Sequence, residues 1–109
     1  MNNKEFGNLG ENMAANYLEL KGYDIVARNF RCRLGEVDII AKKDNKIVFC
    51  EVKTRKSDTM GTPAEAVTEK KIEHMRKVAA VYMMWEKTTN YQVAFDVIEI
   101  ACNHIENAF

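Results

Sequence analysis

Gly35-Glu36-Val37-Asp38-Ile39-Ile40-Ala41-Lys42, followed after a short gap by Ile47-Val48-Phe49-Cys50-Glu51-Val52-Lys53, decides the reading of this chain. Both stretches are rich in the β-branched residues that favour strands. The gap, Lys43-Asp44-Asn45-Lys46, reads as a turn because Asp and Asn tolerate left-handed dihedrals. With Asp44-Asn45 as a two-residue loop, Lys43 faces Lys46, Asp38 faces Glu51 and Glu36 faces Lys53. Side chains alternate along a strand, so these last four share one face. The other face, Val37, Ile39 and Ala41 against Val52, Cys50 and Val48, is wholly apolar. A one-residue slip would drive carboxylates into that core, so the register is well specified. Carboxylates directly opposite each other repel. Their retention implies a cation between them: a divalent-metal site with Lys53 beside it.

Composition narrows the class. The chain has 109 residues, the size of one domain. Its 47% hydrophobic content suits a globular rather than a disordered protein. No apolar run approaches the roughly 18 residues of a membrane span, so no membrane association is expected. The start, Met1-Asn2-Asn3-Lys4-Glu5, is polar and reads as no signal peptide. Cys32, Cys50 and Cys102 form no C-x-x-C pair, which argues against zinc or a disulfide framework and for a reduced, cytoplasmic protein. Ser57 is the only serine, so no serine triad can be built, and no Walker-type glycine loop occurs. His74 and His104 are isolated. Formal net charge is zero, yet Lys21 to Lys56 carries ten basic residues against five acidic ones. Positive charge thus gathers around the carboxylates, as a nucleic-acid phosphate requires. A merely solvated basic surface is the alternative.

The remaining elements follow from periodicity. Asn3 to Lys21 reads as a helix with Phe6, Leu9, Met13, Tyr17 and Leu20 as its stripe, stopped by Gly22. Gly7 and Gly10 each lower helix propensity by about 1 kcal/mol relative to Ala, which suggests close approach of another group there. A strand is expected over Tyr23 to Phe30, and a polar loop over Thr54 to Thr62. Pro63 can open a short helical piece, Ala64 to Val67. Thr68 can cap a long helix to about Lys87, with Ile72, Met75, Val78, Ala79, Tyr82 and Met83 inward. Tyr91 to Ala101 alternates as a last strand. The order is αβββαβ: an α/β domain with a mixed sheet flanked by helices.

Asp38, then twelve residues, then Glu51-Val52-Lys53 resembles the D…E-x-K signature of the PD-(D/E)xK nuclease superfamily. The element order resembles its restriction-endonuclease-like core. More closely, the chain resembles the YraN family of small bacterial proteins, which is often grouped with Holliday-junction resolvases. The resembling blocks are Gly10-Glu11, Tyr17-Leu18, Arg28-Asn29, Gly35-Glu36-Val37-Asp38, Glu51-Val52-Lys53-Thr54-Arg55, Pro63-Ala64-Glu65-Ala66-Val67 and Phe95-Asp96-Val97-Ile98. They span nearly all of residues 1–109, read as a single endonuclease-like domain. Ala94 departs from the arginine expected before Phe95-Asp96.

The resemblance implies magnesium or manganese held by Asp38, Glu51 and the main-chain carbonyl of Val52. It implies Lys53 as the lysine that orients the nucleophile or neutralises the scissile phosphate, and Glu11 as an added helix carboxylate. Arg31, Arg33, Arg55 and Lys70 are candidate nucleic-acid contacts. The activity expected is metal-dependent endonucleolytic hydrolysis of structured or branched DNA, with a homodimer expected by analogy with resolvases. Two alternatives remain open: a nucleic-acid-binding module of the same fold without efficient cleavage, and a protein-interaction adaptor.

Overall fold

The computed structural model describes residues 1–56, 67–86 and 90–109. The polar loop and helical piece expected between Ser57 and Ala66 therefore lie outside the described residues. The elements run α1 (Asn3–Leu20), β1 (Asp24–Cys32), β2 (Gly35–Lys43), β3 (Lys46–Lys56), α2 (Glu69–Trp85) and β4 (Gln92–Cys102). They form one four-stranded sheet in the order β1-β2-β3-β4. The first two pairings are antiparallel and β3-β4 is parallel. This is an α/β fold with the restriction-endonuclease-like αβββαβ core, its mixed sheet flanked by helices.

The hairpin keeps the expected register from Lys43–Lys46 to Ile39–Cys50, and Asp44 turns the chain at φ 55°. β3 runs on through Thr54, Arg55 and Lys56, where a loop was expected, because these residues pair in parallel with Ile100, Ala101 and Cys102. Polar residues can occupy a strand when a neighbour takes up their backbone groups. Thr68 caps α2 as expected, its Oγ1 accepting the Lys71 N–H at 3.1 Å. Asn2 does the same for α1, accepting from the Glu5 N–H at 2.8 Å.

The helices cover opposite faces. Ala14, Ala15 and Leu18 of α1 pack on Ile39, Ala41, Val48 and Cys50. Met75, Val78 and Ala79 of α2 pack on Val37, Ile40, Ile47 and Phe49. Two expectations change here. Val37 lies on the α2 face, opposite Ile39, so strict alternation fails around Asp38. Asn29, at the same level of β1, adopts a left-handed φ of 52°, and β1 carries a further irregularity at Val26. The bend at this level turns Val37 over.

The inward stripe of α1 is also not the bulky one. Leu9, Met13, Tyr17 and Leu20 stay exposed, while Gly10, Ala14, Ala15 and Leu18 are buried. Small residues win because the helix lies close against β3. A Cβ at Gly10 would stand 2.0 Å from Thr54 Oγ1, whereas one at Gly7 would meet nothing within 4 Å. The close approach inferred for the two glycines therefore belongs to Gly10 alone.

Gly10→Ala is expected to cost about 1–3 kcal/mol, the usual penalty of overpacking. Urea denaturation should show Thr54→Ala restoring part of that loss. Additive effects of the two substitutions would contradict the contact.

Candidate metal centre

The site forms where β2 and β3 part. Their regular pairing ends at Ile39–Cys50, one step before Asp38 and Glu51. In place of a β2 carbonyl, the Asp38 carboxylate meets β3: its Oδ2 accepts the Val52 N–H at 2.7 Å. A strand residue projects its N–H and C=O to the same side. The Val52 carbonyl therefore faces this gap as well, as a carbonyl ligand would need to.

Glu51 is the one charged side chain among the described residues that is buried, at 4% exposure. It lies on the α2 side of the sheet, continuing the line of Ile47 and Phe49. Its Oε1 receives Lys53 Nζ and Lys71 Nζ, each at 3.3 Å. Its Oε2 is buried and meets no hydrogen-bond donor. Glu11, beside Gly10 on α1, likewise buries Oε1 without a donor. Asp38 senses both acids. Burial raises its carboxyl from the ordinary 3.8 to about 6, the Val52 N–H opposes this, Glu51 and Glu11 push it further up, and Lys71 pulls it down.

Buried acceptors are nearly always satisfied in native structures. Two bare carboxylate oxygens around a third, proton-hungry carboxyl fit a hard, oxygen-seeking cation. They do not form a ready-made cage: among the described residues no group of three or more His, Cys, Asp or Glu side chains is gathered to enclose an ion. Magnesium does not require one, since it keeps several waters and takes one or two carboxylates. The donor chemistry fits magnesium or manganese, for which Asp38, Glu51 and the Val52 carbonyl would be the holding groups and Glu11 an added carboxylate.

Other expected contacts are placed differently. Glu36 pairs with Arg31 across β1-β2 at 2.5 Å, and not with Lys53, because it belongs to that ladder and β2 has already left β3. Arg55 pairs with Glu99 on β4 at 3.5 Å. Arg33 and Lys70 are exposed, at the β1-β2 turn and the first turn of α2. Lys71 was missed by reasoning from the sequence. The signal was present: one turn before Met75, a lysine continues the inward stripe of α2. Cys50 is no nucleophile, since burial pushes its thiol up to about 12, with Asp96 and Asp38 adding to the effect.

A mixed sheet between two helices, with acids where its middle strands part, defines the chain's class as a restriction-endonuclease-like domain. The comparisons give the family. A sequence model of "Uncharacterised protein family UPF0102", the YraN family, matches residues 10–100, and the chain belongs to that family. A UPF0102 protein of Caldicellulosiruptor saccharolyticus is 50% identical over 94% of this chain and 87% of its own length. Others from Syntrophomonas wolfei and Clostridium acetobutylicum are 46% and 48% identical, each over 98% of this chain and over 99% and 95% of their own lengths.

A folded pKa above the unfolded one means stability that is full below about pH 4 and fades as pH rises through about 6. Asp38→Asn keeps an acceptor for the Val52 N–H and cannot ionise. Metal-free melts should show the variant gaining on the wild type between pH 4 and pH 7. A constant difference across that range would mean that Asp38 is not strained.

Proposed function

We propose that this protein is a magnesium- or manganese-dependent endonuclease that hydrolyses phosphodiester bonds in structured or branched DNA. The observation that carries the reading is the pair of buried, donor-less oxygens of Glu11 and Glu51 beside Asp38. A purely structural salt bridge would not leave such oxygens bare. Membership of the YraN family and the D…E-x-K spacing support the same reading.

In this reading Asp38, Glu51 and the Val52 carbonyl are the groups that would hold the cation. The bound ion supplies positive charge against phosphoryl oxygens and makes water more acidic. Lys53 stands two residues beyond Glu51 on the same face. Its ammonium would offset charge that builds on the phosphate as water adds and the leaving oxygen departs. The exposed Arg33 and Lys70 suit backbone phosphates of the nucleic acid. A four-way junction has two-fold symmetry, so this substrate suits a homodimer.

One observation favours the binding module without efficient cleavage. Glu51 already carries two lysines, so the metal-free site is partly neutralised. Duplex, single-stranded, flap and four-way DNA, each incubated with magnesium or manganese, separate the readings. The expected result is cutting that EDTA and Glu51→Gln both abolish. Binding without cutting selects the module, and no binding to any of the four leaves the adaptor.

Two variants refine the roles. Lys53→Ala should keep most of the magnesium affinity by calorimetry and lose about 100-fold or more of the cleavage rate, as removal of one transition-state charge does. Magnesium should raise the melting temperature of the wild type by mass action and leave that of Glu51→Gln unmoved. Equal magnesium shifts in both proteins would remove Glu51 from the metal centre.

A further inference from the structure

Lys71 has a place that the D…E-x-K pattern does not assign. Its backbone is pinned at the start of α2, where its N–H binds Thr68 Oγ1. Its side chain reaches across to the sheet, and its Nζ lies 3.3 Å from Glu51 Oε1. Lys53 Nζ approaches the same oxygen at the same distance, while Oε2 is buried without a donor. Two lysines forming a structural double salt bridge would divide between the two oxygens and satisfy both. Here they crowd one and leave the other buried without a donor. The two cations also differ in where they are rooted. Lys53 and Glu51 share a strand. Lys71 touches Glu51 across the helix-sheet gap, and the two lysine side chains are similarly exposed, at 31% and 35%.

We propose that Lys71 is a built-in counter-cation of the metal-free site. A divalent ion arriving at Glu51 displaces its ammonium, which then binds a phosphate of the nucleic acid at the mouth of the site. The inference rests on the metal reading above. A divalent ion between Asp38 and Glu51 brings like charge against both ammonium groups, and the one without a strand tether can leave. A released ammonium on a flexible stem next to a carboxylate-bound cation is suited to a phosphate, which it meets as a point charge. The groups facing it in the metal-free state are Glu51, Asp38 and Lys53, with Glu11 on the far side of the set.

The test needs no catalysis. Metal-free wild type, Lys71→Met, Lys71→Arg and Lys77→Met are titrated with magnesium in a calorimeter without nucleic acid. Lys77 pairs with Glu73 on the outside of α2 and controls for net charge. Lys71→Met should bind magnesium about tenfold more tightly, a gain of about 1.4 kcal/mol. Lys71→Arg and Lys77→Met should stay near the wild type. Affinity for four-way DNA is then measured against salt with calcium in place of magnesium. The slope for Lys71→Met should fall by about one phosphate contact. Unchanged or weaker magnesium binding by Lys71→Met would make Lys71 a structural tie and overturn the proposal. An unchanged salt slope would overturn its phosphate contact. If the wild type itself takes up no magnesium, the metal reading falls and this inference with it. Lys71→Gln replaces Lys71→Met should the latter fail to fold.

Discussion

Everything at the working end of this molecule depends on the hydrogen bond between the Val52 N–H and the Asp38 carboxylate. An antiparallel pair normally gives that N–H to a backbone carbonyl. Giving it to a side chain lets β2 and β3 separate without leaving a buried donor unpaired. The separation makes room for charged groups at the end of two strands whose middle residues, Ile39 to Ala41 and Ile47 to Cys50, are buried. Each helix then has a defined duty. α1 must lie close enough for Glu11 to reach the gap, which needs glycine at position 10 against Thr54. α2 must bring a cation to Glu51, and its cap at Thr68 sets where Lys71 starts.

The hairpin was legible in the sequence because its constraint is binary. A slip of one residue would bury carboxylates, so one register survives, and Ile39–Cys50 through Lys43–Lys46 follow it. Val37 escaped because period-two reasoning assumes unbroken strands. The bend at Asn29 and Asp38 puts Val37 on the other face, and only the left-handed tolerance of asparagine hinted at this. α1 misled for another reason. Hydrophobic size marked Leu9, Met13 and Tyr17 as inward, but distance to the sheet decides which side of a helix is buried. Here the sheet is too near for large side chains. Lys71 was hidden because a lysine within an apolar stripe looks like an interruption until its partner is known.

The basic surround read from the sequence is less free than its count suggests. Arg31 is engaged by Glu36 and Arg55 by Glu99, in pairs that tie β1 to β2 and β3 to β4. Exposed pairs contribute little stability, so Arg31 can exchange Glu36 for a phosphate at small cost. Arg55 is mostly buried and is better read as part of the sheet. Of the basic residues singled out from the sequence, Arg31, Arg33 and Lys70 are therefore the exposed ones.

Charge balance explains why the centre has this composition. Glu11, Asp38 and Glu51 face Lys53 and Lys71, three acids against two bases. Protonation of Asp38 removes one negative charge from that set. A carboxyl raised to about 6 takes up a proton more readily than an ordinary aspartate, which relieves the crowding of acids only below that pH. With a second lysine fixed at the centre, the resting protein would gain stability and the affinity for a divalent ion would fall. With no second lysine, the affinity would rise and Glu51 would be left with less compensation in a nearly dry site. Under the proposed metal reading, a lysine that reaches Glu51 from α2 would lie between these two extremes.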